Sequence, residues 1–284
     1  MKIGLVLSGG MAKGAYQIGA LKAIEEFIPF GEIEYISGAS IGVLNGYAYA
    51  TGQLDLAQKL WKNCCGSYNR SLITRVLRDG TIPNAITGLQ QNGQVPGGVF
   101  YAALLDMTKK TLVYQNLASA DAQDMVDLLC ASVAVPACSK GVAWNGGKYF
   151  DGAAVDNIPV FPLMKHELDY IICVYFDEYC YTFENSCFDD RVIKVTFSSD
   201  SILAQSLVLT RERVSEMIDE GYFKTKEILT AAFEKGYEDT EYVRSVIPSI
   251  NSRYGESKLR ITGDLLVTNL NKVAQKFADR KIIV

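Results

Sequence analysis

Ile3-Gly4-Leu5-Val6-Leu7-Ser8-Gly9-Gly10 is a short apolar run closed by a serine and two glycines, and behind it Ile18, Leu21, Ile24 and Ile28 recur at helical spacing. It reads as strand, loop, helix. The pattern then repeats. A run ending at Tyr35-Ile36-Ser37 enters Gly38-Ala39-Ser40-Ile41-Gly42, and an Ala/Leu/Tyr-rich helix leads on towards Trp61. Two βα units in succession imply a parallel sheet with right-handed crossovers. The expected architecture is a three-layer α/β/α domain around a mostly parallel central sheet.

Further along, residues 66 to 98 are rich in Gly, Pro, Asn and Gln without a strong period, which suggests an irregular cover or a pair of short helices, and a candidate lid. Val99 to Met107 and Thr111 to Gln115 read as a hairpin, and residues 120 to 131 as a helix ending before Pro136. Asn145-Gly146-Gly147, flanked by Val142 to Trp144 and Lys148 to Phe150, is a tight-turn signal that delivers Asp151 to a strand end. Tyr170 to Phe176 and Val192 to Phe197 read as buried strands, 203 to 234 as a long helix, and the last fifty residues as helical. The expected division is a domain over 1–234 and a helical extension over 235–284 packed on it.

The chain has 284 residues, 49% of them hydrophobic, ample for a sizeable core. A net charge of −4 and no lysine-arginine run argue against nucleic acid as a partner and leave any membrane contact mostly apolar. The apolar start is interrupted by glycines and Lys13 before it reaches the length of a signal peptide, and no later run approaches the roughly 20 apolar residues that span a bilayer. Seven cysteines without a C-x-x-C spacing point to neither a zinc knuckle nor a disulfide framework. These features predict a reduced, cytoplasmic protein, at most peripheral to a membrane.

Three turns carry the chemistry. Gly38-x-Ser40-x-Gly42 follows a strand and opens a helix, the context in which a G-x-S-x-G match signals a strained, exposed nucleophile, although an ordinary glycine-rich βα turn has the same letters. Gly9-Gly10-Met11 offers backbone N–H groups before a helix N-terminus made more positive by Lys13, and can serve as an oxyanion hole. A phosphate-binding loop competes. The Walker A order fails, however, because Ala15-Tyr16 follow Gly14, and G-x-G-x-x-G spacing is absent. Asp151-Gly152-Ala153 is by itself only a turn. It gains meaning because the single histidine, His166, lies in a charged stretch that reads as a solvated surface, so a serine hydrolase here needs an aspartate as its base.

With these turns assembled, the chain resembles the patatin-like phospholipase family, whose pattern is a Gly-Gly-x-x-Arg/Lys-Gly loop, a G-x-S-x-G serine and an Asp-Gly-Gly/Ala aspartate. Ala131-Ser132-Val133-Ala134-Val135-Pro136, Asn157-Ile158-Pro159-Val160 and Gly221-Tyr222 add to the likeness, which spans about residues 1 to 230. Met11 departs from it, since many members carry a third glycine there, and its side chain is expected to narrow the site. The resemblance implies a patatin-like fold and a Ser-Asp dyad: Ser40 attacks the ester carbonyl, Asp151 takes its proton, and the N–H groups of Gly9, Gly10 and Met11 hold the oxyanion. Lys13, Gly14, Gly38, Gly42 and Gly152 would support them. It implies an acyl-enzyme, lipid ester substrates and a transient contact with a membrane surface, with no metal or cofactor. An acyltransferase shares the acyl-enzyme and differs in the acceptor. A non-catalytic lipid- or nucleotide-binding protein on the same sheet is the rival from another class.

Overall fold

The sheet grows from the opening run: Ile3–Leu7 forms strand β1, buried at every position and flanked by parallel neighbours on both edges. A strand enclosed in this way can carry a continuous apolar run rather than an alternation. The computed structural model describes residues 1–63, 81–92, 98–136, 138–176, 190–197, 210–254 and 282–283. Within them the strands after β1 are β2 (Tyr35–Ala39), β3 (Val99–Asp106), β4 (Thr111–Asn116), β5 (Val142–Trp144), β6 (Gly147–Asp151), β7 (Tyr170–Phe176), β8 (Val192–Phe197) and β9 (Ile282–Ile283). Five of them, in the order β8-β7-β1-β2-β3, run parallel. The result is a mixed α/β fold on a mostly parallel sheet.

β3 is the strand that positions the site. Along one edge it pairs first with β2, in parallel, as far as Ala39 opposite Ala103. The antiparallel β6 then takes over the same edge, with Asp151 opposite Leu104. Two strands arriving from opposite directions therefore end on adjacent residues of β3. Its other edge carries the hairpin partner β4.

The helices are α1 (Gly14–Phe27), α2 (Ile41–Ala50), α3 (Leu54–Asn63), α4 (Thr81–Asn92), α5 (Ala122–Ser132), α6 (Arg211–Ala232) and α7 (Thr240–Tyr254). They cover one face of the sheet and close the larger core with Leu5, Leu7, Ile36, Phe100 and Ile172. α1 is buried almost all round because α6 crosses it in backbone contact. A methyl group on Gly19 would lie 1.8 Å from the carbonyl oxygen of Ile218, and one on Gly221 would lie 2.1 Å from that of Tyr16. Neither position has room for a side chain. The other face is covered, among the described residues, by two 3₁₀ turns, Gly152–Ala154 and Phe161–His166, and the chain between and after them. Ile158, Val160, Leu163 and Leu168 of this strap close a second core with Val6, Ala39 and Cys173.

Several boundaries differ from expectation. The helix towards Trp61 is two helices, because Gly52 takes a positive φ of 68° and turns the chain between α2 and α3. The candidate lid over 66–98 contains α4, and its remaining parts, 66–80 and 93–97, lie outside the described residues. The long helix starts at Arg211, capped by the Thr210 hydroxyl accepting from the Arg213 N–H; 203–209 lie outside the described residues. The last fifty residues are not wholly helical: α7 is followed at the end by β9, which pairs in parallel with β4. Val243, Ile247 and Ile250 of α7 belong to the larger core. Asn251 lies against the edge of β8, accepting from the Lys194 N–H at 3.0 Å and donating to the Val192 carbonyl at 2.8 Å. Its amide thus occupies the bonds an edge strand leaves open. No helix of the described residues is long and apolar enough to cross a membrane.

Candidate active site

Ser40 alone makes the turn between β2 and α2. The strand runs through Gly38 and Ala39, and the helix starts at Ile41, so one residue absorbs the reversal at φ 52° and ψ −129°. That positive φ is uncommon for a residue with a side chain and stores strain. The two glycines of the motif act separately. A methyl on Gly38 would approach the backbone of Gly42 and Val43 at 3.0 Å, whereas one on Gly42 would lie 2.3 Å from the carbonyl oxygen of Leu7. Gly38 lets the helix fold back over its own strand. Gly42 lets it lie on the end of β1. The Ser40 hydroxyl makes no capping bond, and the first N–H groups of α2 leave partial positive charge beside it.

Asp151 reaches the same spot from the opposite side, at the end of β6. Its N–H donates to the carbonyl of Ala134 at 3.0 Å, which gives the Ala131 to Pro136 stretch a structural use. Its carboxylate accepts the Ala153 N–H at 2.9 Å and faces the Ser40 hydroxyl, in a hydrogen-bonding interaction that favours the charged form. Asp151 is 3% exposed and Ser40 7%. Burial outweighs both bonds and pushes the Asp151 carboxyl up to about 7. Gly152 is required by the turn over β3, since a methyl there would lie 2.6 Å from the carbonyl group of Ala103.

The glycine-rich loop lies against the pair. A methyl on Gly9 would meet Asn157 Oδ1 at 2.4 Å and Ser40 Cβ at 3.0 Å, and one on Gly10 would enter the Phe176 ring at 2.2 Å. The Gly9 N–H donates to the Asn157 carbonyl at 3.2 Å. That bond leaves Gly10 and Met11, of the three expected donors, with N–H groups that take no acceptor among the described residues. Met11 holds φ 50°, the conformation a glycine adopts without strain, and its side chain is 46% exposed. It therefore leans to solvent rather than filling the interior. Lys13 is 7% exposed with its ammonium 5.6 Å from the Phe176 ring centre, and burial lowers its pKa to about 8. Gly14 leaves room for Trp61 and Ile41, whose atoms a methyl would meet at 2.6 and 2.7 Å.

His166 is elsewhere. It is half-buried rather than solvated, stacked near Tyr35 and Tyr101 with ring centres 5.0 and 6.0 Å away, and its Nε2 bonds the Tyr101 hydroxyl at 3.3 Å. Burial, with Lys165 and Lys2 close by, lowers its pKa. Tyr35 starts the strand that Ser40 ends, roughly 16 Å further on at a strand's rise per residue. His166 thus sits at the opposite end of the sheet from the serine.

Sequence reasoning passed over the polar scaffold behind the loop. Gln17 donates to the Ser8 carbonyl at 2.7 Å, Asn45 donates to Gln17 Oε1 at 2.8 Å and to the Gly14 carbonyl at 2.9 Å, and Trp61 donates to Asn45 Oδ1 at 3.1 Å. Trp61 is thus a hydrogen-bonding anchor as well as packing. The available signal was a lone amide within an apolar stretch of each of two helices, Gln17 between Ala15 and Leu21 and Asn45 in α2, since a buried amide needs partners. Among the described residues, no group of three His, Cys, Asp or Glu side chains could hold a metal ion, and Cys130, Cys138 and Cys173 are free thiols.

A model of the patatin-like phospholipase family matches residues 5–85 and 66–164, which include all three turns. Lysophospholipase NTE1 of Cryptococcus neoformans is 30% identical over 187 residues, and that of Candida albicans 27% over 186 residues. Each alignment covers 61% of this chain but only 11% and 13% of those much longer proteins. Among solved structures, VipD from Legionella pneumophila aligns with 97% of this chain and 87% of its own at a TM-score of 0.45 and 12% identity. ExoU in its complex with SpcU from Pseudomonas aeruginosa aligns with 97% of this chain and 66% of its own at 0.40 and 17%. With its family pattern matched across more than half of its length, the chain belongs to the patatin-like phospholipase family.

Proposed function

We propose that the protein is a lipid acyl hydrolase working through a Ser40-Asp151 dyad. The observation that carries this reading is the meeting of two strand ends on adjacent residues of β3, which sets a strained serine against a buried aspartate. A carboxylate in water is a weak base, but one whose pKa is raised to about 7 is matched to proton transfer near neutral pH. Ser40 Oγ attacks the ester carbonyl as Asp151 takes its proton. The tetrahedral oxyanion is held by the Gly10 and Met11 N–H groups, next to the α2 N-terminus. Collapse expels the alcohol, which leaves with the proton from Asp151. Water then attacks the acyl-enzyme, giving one proton to Asp151 and the fatty acid as product, and that proton returns to Ser40.

Family membership supports a lipid ester as substrate, and the names of the fungal relatives favour a lysophospholipid. The exposed Met11 beside the loop offers an apolar point of contact with a lipid surface that a net charge of −4 would not attract electrostatically. The test is labelling by a fluorophosphonate together with hydrolysis of lysophosphatidylcholine and acyl esters of increasing chain length, with product analysis for transfer to alcohols. Ser40→Ala is expected to lose labelling and hydrolysis while keeping its circular-dichroism spectrum. Full activity in that variant would discard the serine mechanism, and acyl transfer outrunning release of the free acid would make the protein an acyltransferase.

A further inference from the structure

The Gly9-Gly10 peptide is held by a clamp that the dyad does not account for. Asn157 grips Gly9 from both sides: its carbonyl accepts the Gly9 N–H at 3.2 Å, and its side-chain Nδ2 donates to the Gly9 carbonyl at 3.3 Å. The Ser8 hydroxyl donates to the same carbonyl at 3.1 Å. The side chain of Asn157 lies so close that its Oδ1 would be 2.4 Å from any methyl on Gly9. Asn157 is itself held. The neighbouring Asp156 carboxylate accepts the Ile158 N–H at 3.1 Å on one oxygen and a short hydrogen bond from the Tyr114 hydroxyl on the other, and the Asp156 N–H donates to the Gly152 carbonyl at 3.0 Å. One short segment therefore leads from Asp151, at the end of β6, to the residue that grips the glycine loop.

The Gly9 carbonyl and the Gly10 N–H belong to one planar trans peptide, so they point in opposite directions. Fixing the carbonyl fixes the donor. A donor on the carbonyl also polarises the peptide and strengthens its N–H. The geometry points to Asn157 as the positioning residue of the oxyanion hole, turning the Gly10 N–H away from the strap and towards the oxygen that develops negative charge over Ser40. Its amide touches no reacting atom. This inference rests on the acyl-hydrolase reading of Ser40 and deepens it.

An interaction made only with the transition state appears in kcat rather than KM. Losing an oxyanion donor outright lowers kcat by about 10²–10³-fold, so loss of the group that orients one is expected to lower it by roughly tenfold to a hundredfold. The experiment compares wild type, Ser40→Ala, Asn157→Asp and Asn157→Ala on one short-chain ester, with a trifluoromethyl ketone as a probe whose serine adduct carries an oxyanion. Asn157→Asp keeps the shape and removes the donor. It is expected to lower kcat at least as far as Asn157→Ala, with KM within twofold of wild type and the ketone Ki rising in step with the kcat loss. If Asn157→Asp folds poorly, Asn157→Ala decides alone. Asn157 variants with kcat and Ki within twofold of wild type, beside an inactive Ser40→Ala, would overturn the positioning role and leave the dyad standing. A kcat loss with unchanged Ki would also overturn it. An active Ser40→Ala would remove the dyad and this role together.

Discussion

Asp151, at the end of β6, and Asp156, on the strap that follows it, sit five residues apart in similar surroundings. Asp151 is buried and Asp156 partly so, each accepts one backbone N–H, from Ala153 or Ile158, and each faces one hydroxyl, from Ser40 or Tyr114. Burial raises the pKa of both. What separates them is the hydroxyl. Ser40 is the single residue of a strained turn, with helix-terminal N–H groups and the glycine loop around it. Tyr114 lies inside β4, and its phenol holds Asp156 in the turn that presents Asn157. A carboxylate against a hydroxyl is thus a latch in one place and the candidate base of a reaction in the other.

The largest expected difference is in turnover. Asp151→Asn should lower kcat by about 10³-fold or more, because an amide cannot take the serine proton, whereas Asp156→Asn should stay within about tenfold. Similar losses in both would break the comparison. The wild-type pH profile sharpens it: the proposed role of Asp151 as base requires it ionised, so log(kcat/KM) should rise with unit slope through the acid range and level off near pH 7. A limb near pH 4 would mean that burial does not set the working pKa.

Stability should move the other way. A carboxyl whose pKa rises from 3.8 to about 7 on folding favours the fold below its unfolded pKa, and that contribution is lost as pH rises through 7. Asp151→Asn removes the buried charge, so it should raise unfolding free energy by up to about 4 kcal/mol at pH 8, with the gain shrinking towards pH 4. Urea denaturation at both pH values measures it, and a destabilised variant at pH 8 would contradict the assigned burial cost. Tyr114→Phe should destabilise by about 1–2 kcal/mol, because it strips a donor from a partly buried carboxylate; no change in the urea midpoint would show that the latch holds nothing. The smallest effect belongs to His166→Gln, expected to change kcat by less than about twofold since the ring stacks at the far end of β2. A loss of orders of magnitude there would restore a histidine base.

Much of this was readable along the chain. Strands β1 and β7 are continuous apolar runs bounded by charges or by Ser8-Gly9, and a strand buried between neighbours needs little else. Asn145-Gly146, with φ 44° and 74°, announces its hairpin because few residues accept two positive φ values in succession. The break at Gly52 was less visible, since one glycine in an apolar helical pattern is often tolerated. Strand β9 could not be foreseen, because two isoleucines carry no periodicity and pair only because β4 offers an edge. Asn157 was visible as a letter in a motif, but its grip on Gly9 spans 148 positions of sequence.

What the sequence determined by itself is therefore local: a strained serine turn between two glycines, a glycine loop before a helix, an aspartate placed by a hairpin, and a single histidine in a charged stretch apart from all three. Each depends on φ/ψ preferences and spacing within a few residues. What only the tertiary structure decided is which groups meet. The arrival of β2 and β6 from opposite directions on Ala103 and Leu104 sets Ser40 against Asp151, and the strap's return past Gly9 ties up one N–H and orients the next peptide. Burial does the rest: the desolvation that lifts Asp151 to about 7 exists only when distant segments exclude water from it together.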